Sequence, residues 1–266
     1  MSFVLIRRSL KCLGTEMRVN TCRRSFLRVC ALGALLFVMN APGAMATMIT
    51  IATAGGSTQG GNPVNAQAVF TTGLNSVTID LSNLLTAAQM VTVAQNLSDL
   101  SFTLSGTFAG GLVSDTNRIY SGKLIDVATD GSVSTDGGNG IPARYNGWDF
   151  SNSGSTFLLE DLGSAAGPSQ TIIGGKVGDT AYSNANGSIA GNTPHNPFLQ
   201  GTAHYVLTIA GVTASTNITA ATFSFGTALG NNIPGVPQSV PEPSTMGLLG
   251  TALVGLGWAV RKKLHS

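Results

Sequence analysis

Between Thr47 and Thr227 the chain alternates short apolar runs with polar turns, and within the runs the alternation has a period of two. In Val77-Thr78-Ile79-Asp80-Leu81 the apolar side chains fall on one face and the polar ones on the other, and Tyr205-Val206-Leu207-Thr208-Ile209 has the same character. Strands are predicted over Met48–Thr53, Ala68–Thr72, Ser76–Leu81, Leu100–Ser105, Arg118–Thr129, Arg144–Phe150, Ser155–Glu160, Thr171–Ile173, Ala203–Ala210 and Thr219–Thr227. Turn-forming Gly, Asn, Asp and Ser separate them, as in Ala54–Pro63, Asp130–Gly140 and Ser183–Pro197. One stretch, Leu84–Leu97, has rough helical spacing through Leu84, Leu85, Ala88, Val91 and Gln95, diluted by Thr86 and Thr92. Many short strands without βαβ alternation predict an all-β class, with a single β-sandwich or jelly-roll-like domain over 47–227. From Gly226 to Gln238 the pattern gives way to Gly, Asn and Pro, which predicts a linker over 228–239.

Both ends break the pattern with longer apolar runs. At the N-terminus a basic stretch, Arg23-Arg24-Ser25-Phe26-Leu27-Arg28, precedes an apolar run from Val29 to Met39 and a small-x-small site at Ala44-Met45-Ala46. Those three parts predict a signal peptide over 1–46, cleaved after Ala44 and Ala46 have been recognised by signal peptidase. The apolar run is too short to span roughly 30 Å of hydrocarbon. A start at Met17 leaves a signal of ordinary length. Arg23-Arg24 fits either the general secretory (Sec) route or the twin-arginine translocon.

The C-terminus reads in fixed order: Val240-Pro241-Glu242-Pro243-Ser244, an uncharged apolar stretch from Met246 to Val260, then Arg261-Lys262-Lys263. The prolines bar helix and ladder around Glu242 and leave an extended segment for an enzyme to hold. A fifteen-residue helix rises only about 22 Å, short for a lasting anchor, and four glycines weaken it further. Its cationic end marks the cytoplasmic side. This arrangement over 240–266 resembles the PEP-CTERM sorting domain of Gram-negative bacteria, the substrate tail of exosortases. The resemblance implies Pro241, Glu242 and Pro243 as the recognised residues and Arg261, Lys262 and Lys263 as a stop-transfer cluster. It further implies an exosortase as partner, transient residence in the inner membrane through a short hydrophobic helix, and export to the surface or matrix of an organism making exopolysaccharide. Phrases in the body, among them Gly60-Gly61-Asn62-Pro63-Val64 and Ala221-Thr222-Phe223-Ser224-Phe225-Gly226, resemble a group of PEP-CTERM proteins without an assigned activity.

Charge narrows the partners. Only 10% of the 266 residues are charged, against about 25% in an average soluble protein. Seven of the fourteen basic residues precede position 29, and three close the chain. From Thr47 to Val240 four basic residues face ten acids, a net charge of −6. A body without a basic face is not a nucleic-acid binder. All three cysteines, Cys12, Cys22 and Cys30, lie in the segment expected to be removed, so the mature body has no thiol chemistry.

Candidate chemistry in the body is sparse. His195 and His204 lack the close companions of a zinc site, so His195 is expected in a loop and His204 on a half-buried strand face. There is no G-x-S-x-G elbow in a strand–turn–helix setting. Glu160 and Asp161 are adjacent, so on a strand they point to opposite faces, and with Asp149 they make a poor glycosidase pair. Asp126, Asp130 and Asp136 with nearby glycines offer a weak calcium candidate without the full EF-hand pattern. Asn96, Asn186 and Asn217 open glycosylation triplets of the kind that arise by chance in such a composition. Tyr145 and Trp148 offer a sugar-stacking surface, with core packing the stronger expectation for Trp148. The expectation is a non-enzymatic surface or matrix protein without a cofactor, associated with exopolysaccharide or biofilm. A calcium-assisted carbohydrate-binding module is the alternative, and a secreted hydrolase follows it.

Overall fold

In the computed structural model the described residues are 47–108, 118–135, 147–163 and 167–238. Fourteen strands occur among them: β1 (Thr47–Thr53), β2 (Thr58–Gln59), β3 (Asn62–Pro63), β4 (Ala66–Gly73), β5 (Ser76–Asn83), β6 (Leu97–Leu104), β7 (Arg118–Val127), β8 (Val133–Thr135), β9 (Asp149–Ser153), β10 (Thr156–Glu160), β11 (Ile172–Ile173), β12 (Phe198–Thr208), β13 (Ile218–Phe225) and β14 (Asn232–Gln238). The signal peptide and the C-terminal helix expected from the sequence lie outside the described residues.

The all-β class holds, but the form is a barrel. Eight strands run in the order β12-β5-β4-β1-β14-β13-β6-β11, and β11 returns to β12. A sandwich keeps two sheets with free edges, whereas here Ile172 pairs with Leu199 of β12 on one side and Leu97 of β6 on the other. That short strand closes the ring at one end. Two flaps leave the wall, β7–β8 from β12 and β10–β9 from β6.

Period-two alternation builds the wall. Every second residue of β4 and β5 is buried: Ala66, Ala68, Phe70 and Thr72 on one strand, Val77, Ile79, Leu81 and Asn83 on the other. The hairpin between them turns through Leu74-Asn75, with Asn75 in the left-handed region (φ 53°) that asparagine tolerates. Phe70 meets Phe102 of β6 from the opposite side of the ring at 5.3 Å, so the interior is filled with side chains. Phe157 and Phe150 on the flap extend that stack, with centroids 5.5 and 5.8 Å apart.

The helix expected over Leu84–Leu97 does not form. Two single 3-10 turns, Ala87–Gln89 and Val93–Gln95, take its place, and β6 begins at Leu97. Thr86 and Thr92 each start a turn anew in a capping box, so the two threonines that interrupted the helical spacing act as caps. The buried Gln95 side chain then accepts from the Val91 and Thr92 N–H groups and donates to the Pro63 and Gln89 carbonyls.

The predicted linker is also corrected, because β14 occupies most of it. Asn232–Pro234 pair with β13 and Gly235–Gln238 pair with β1, so the strand is bonded on one side at a time. This stagger accommodates Pro234 and Pro237, each of which lacks an N–H for a second ladder. Gly235 sits at the changeover, where a Cβ would fall 2.5 Å from Ile51 Cγ2 and 2.9 Å from Phe223 Cε2.

Candidate functional site

Strand register gives the barrel two distinct ends. β1 enters at Thr47, paired to Thr72 at the end of β4, and Thr50 pairs with Gln238, the last residue of β14. The chain therefore enters the barrel and leaves it along neighbouring antiparallel strands, toward one end. The turns at that end are tied together: the Asn75 N–H donates to Val212 O at 2.8 Å, the Ser105 N–H to Asn217 O at 2.8 Å, and the Ser155 hydroxyl to Gly106 O at 2.6 Å. The segment after Gln238 carries the Pro-Glu-Pro triplet, the apolar stretch and the basic end.

A family model for the PEP-CTERM protein-sorting motif matches residues 239–263. This chain carries a PEP-CTERM sorting motif. It is an exported protein sorted by an exosortase and directed to the surface. The PEP-CTERM match begins on the residue that follows β14, so the tail departs directly from a barrel strand. No curated protein and no solved structure matches the chain.

The opposite end holds a cluster of acids. Cross-strand register places Asp149, Glu160 and Asp99 in one row across β9, β10 and β6. Side chains directly opposite one another share a face, and like charges so placed repel. Asp161 follows and is wholly buried, and Asp99 is only 5% exposed. Burial, reinforced by the charges of Asp99 and Asp149, pushes the Asp161 carboxyl up to about 9. Burial also raises Asp99 to about 6, against the opposing pull of the Asp161 and Leu162 N–H groups and the Ser98 hydroxyl. Glu160 is shifted upward by burial and by Asp149. At neutral pH the Asp161 proton is retained, which relieves part of the repulsion. Because both Asp99 and Asp161 are enclosed, this pair titrates within the fold and is not presented to a polymer substrate.

A groove of about 820 Å³ opens at the same end, between the chain leaving β5 and the loop from Gly175 to Ser183. Its walls mix aliphatic Leu84 and Val177 with Lys176, Asp179 and several hydroxyls. Asn83 anchors the wall, donating to Gln95 O at 2.8 Å and Ile172 O at 3.1 Å. Tyr182, whose hydroxyl donates to Gly174 O at 2.7 Å, is pushed up to about 12, chiefly by burial. Gly201, with φ 75°, lies where a Cβ would fall 2.5 Å from Gly175 O, so the bulge in β12 brings two backbones into contact.

The residues singled out from sequence are scattered. Pro241, Glu242, Pro243, Ala44, Ala46, Arg261, Lys262, Lys263, Tyr145 and Asp136 lie outside the described residues. Trp148 is fully buried; its Nε1–H donates to Gln170 O at 3.0 Å, and its ring meets Tyr205 edge-on at 5.3 Å. It therefore has no face to offer a sugar, and the stacking-surface reading of Trp148 is corrected to a core role. Asp130 closes its own turn, accepting from the Ser132 N–H and hydroxyl at 2.9 and 2.6 Å, and those bonds lower its pKa. Asp126 lies on β7 beside Ser134. Among the described residues no group of three His, Cys, Asp or Glu stands ready for a metal.

His195 lies in a turn, with Nδ1 2.8 Å from Ser188 O. His204 sits on the strand face expected of it, with Nδ1 2.6 Å from Asp80 Oδ1 across the β12–β5 ladder. The sequence hid this partner, since the two residues are 124 positions apart. Of the glycosylation triplets, Asn96 is buried and donates to Thr171 Oγ1, which removes it as an acceptor in the folded chain.

Proposed function

We propose that the protein is a non-enzymatic surface or matrix component, delivered as a folded barrel and released by cleavage at its tail. The observation that carries this reading is the junction: the sorting motif starts at 239, immediately after the last strand of the barrel. In this reading the signal peptide is removed after Ala46, and Met246 to Val260 enters the inner membrane with Arg261, Lys262 and Lys263 on the cytoplasmic side. The exosortase then recognises Pro241, Glu242 and Pro243. Among the described residues no helix is long and apolar enough to cross a membrane. In this reading the membrane step belongs to the tail, where a stretch of fifteen apolar residues suits brief residence.

After release the barrel joins the exopolysaccharide or biofilm matrix. The outward residues of β4, β5 and β12 are largely Thr, Ser and Gln, including Ser82 and Thr202 with hydroxyls 2.8 Å apart. Such a wall exchanges hydrogen bonds with a hydrated glycan at low charge. A dedicated carbohydrate module is the weaker reading, since its aromatic platform is lost with Trp148. The test is the intact mass and location of the chain in an exosortase-positive strain, in its exosortase deletion, and as Glu242→Ala. A shortened, surface-located body is expected only for the wild-type chain with the enzyme present. Identical mass and location in all three would refute the reading.

A further inference from the structure

We infer that the groove between the chain leaving β5 and the Gly175–Ser183 loop is a binding site for a neutral oligosaccharide stretch of the surrounding matrix. The inference rests on the matrix reading above and gives it a specific site. At about 820 Å³ the groove falls within the range of pre-formed ligand clefts, about 300–1,000 Å³. Its lining comes from three segments, 82–88, 175–183 and 201–202, all of them described. It opens at the end opposite the one at which β14 finishes, so a chain held by its tail keeps the groove on its far side.

The first support is that the groove is held open by the fold. Gln200 is fully buried, and its side chain pins the 175–183 loop: Oε1 accepts from the Gly178 N–H and Nε2 donates to Asp179 O, both at 2.9 Å. The two walls are joined where the Gly175 N–H donates to Leu85 O at 2.6 Å, and again where Asn184 Nδ2 donates to Ala88 O at 2.6 Å. A buried amide beneath a largely exposed loop fixes that wall before any ligand arrives, so binding costs little further ordering.

The second support is the hydrogen-bonding capacity left unused inside it. The Lys176 ammonium and the Thr180 and Ser183 hydroxyls have no partner among the described residues. Asp179 accepts from the Lys176 N–H through Oδ2 at 2.8 Å, which leaves Oδ1 for a ligand. The Ser82 and Thr202 hydroxyls are 2.8 Å apart, and whichever donates, the other keeps its own hydrogen. Leu84 and Val177, 44% and 61% exposed, add apolar surface to the same groove. A pyranose matches this mixture, with hydroxyls that both donate and accept around a ring whose C–H faces are apolar. Lys176 and Asp179 are the charged residues of the lining, and they cancel. Against a body of net charge −6, that balance favours a neutral chain over a polyanion. The lining holds no aromatic ring, so an aromatic or nucleobase ligand finds no stacking partner.

The test is calorimetric titration of the full chain in an amine-oxide detergent, which has no sugar headgroup. The probes are cellohexaose, isomaltohexaose and mannohexaose, with hexagalacturonate as the anionic comparison. The expected result is saturable one-site binding of at least one neutral hexaose at millimolar concentration, and weaker binding of hexagalacturonate. The double variant Lys176→Ala, Thr180→Val removes two exposed, unbonded groups and is expected to bind at least about tenfold more weakly at unchanged Tm. Thr71→Ala, on the outward face of β4, is expected to bind as wild type. No saturable binding of any neutral hexaose, or equal binding by the double variant, overturns the groove inference. Tighter binding of hexagalacturonate overturns the neutral ligand class. The matrix reading is judged separately, by cofractionation of the released body with native exopolysaccharide. Cofractionation that the double variant retains in full overturns the groove and leaves that reading standing, whereas its absence in wild type overturns the matrix reading itself.

Discussion

Replacing Asp161 with asparagine isolates the buried acid pair, because the variant keeps the shape of the protonated side chain and cannot ionise. In the folded chain Asp161 holds its proton up to about pH 9, whereas in the unfolded chain it is released near its ordinary value of 3.8. Between those values the folded state binds one more proton than the unfolded state, so stability is full below about pH 4 and falls as pH rises. Each pH unit in that window is worth about 1.36 kcal/mol, so raising the pH from 5 to 8 removes at most about 4 kcal/mol. For a domain of this size that corresponds to a fall in Tm of roughly 8–16 °C. Asp99 adds a loss in the same direction that is complete once the pH has passed about 6. Thermal unfolding followed by circular dichroism at pH 5, 6, 7 and 8 measures the slope. Asp161→Asn is expected to match wild type only below about pH 4, to exceed it at pH 5 and by more at pH 8, and to be nearly flat above pH 6. A variant with the wild-type slope, or a wild-type chain that gains stability toward pH 8, would refute the reasoning.

Two further substitutions test the packing that holds the two ends in place. Gly235→Val drives a side chain into Ile51 and Phe223 and is expected to cost about 1–3 kcal/mol, read as a lower denaturant midpoint and faster proteolysis after Phe225. Gly55→Ala, which meets nothing within 4 Å, serves as the neutral control. Trp148→Ala removes a fully buried ring and its hydrogen bond and is expected to cost about 3–5 kcal/mol. Glycan binding, if the folded protein shows any, is expected to be unchanged in the milder Trp148→Phe; its selective loss at full stability would restore a sugar-contact role.

Much of the wall was legible because its signal is local. Residues two apart share a sheet face, so β4, β5, β10 and β13 could be read directly from alternation, within a residue or two at most boundaries. The sorting motif was legible for a different reason: its order of prolines, apolar stretch and basic end is a local pattern that requires no fold to be recognised. Leu84–Leu97 and Asn232–Gln238, both misread, owe their conformation to distant partners, and the strand expected over Arg144–Phe150 begins instead at Asp149. Gln95 is satisfied by Pro63, and β14 is held by β1 and β13 from the start of the domain and from just before it.

Sequence alone determined the all-β class, the sorting motif after the last strand, and the low, acidic charge of the body. Tertiary structure decided that the sheet closes through Ile172, that Trp148 is core, and that Asp99, Asp149, Glu160 and Asp161 share the end opposite the one at which β14 finishes. Each of those outcomes depends on pairing between strands far apart in the chain. Register between such strands is set by the fit of the whole core, and no local pattern records it.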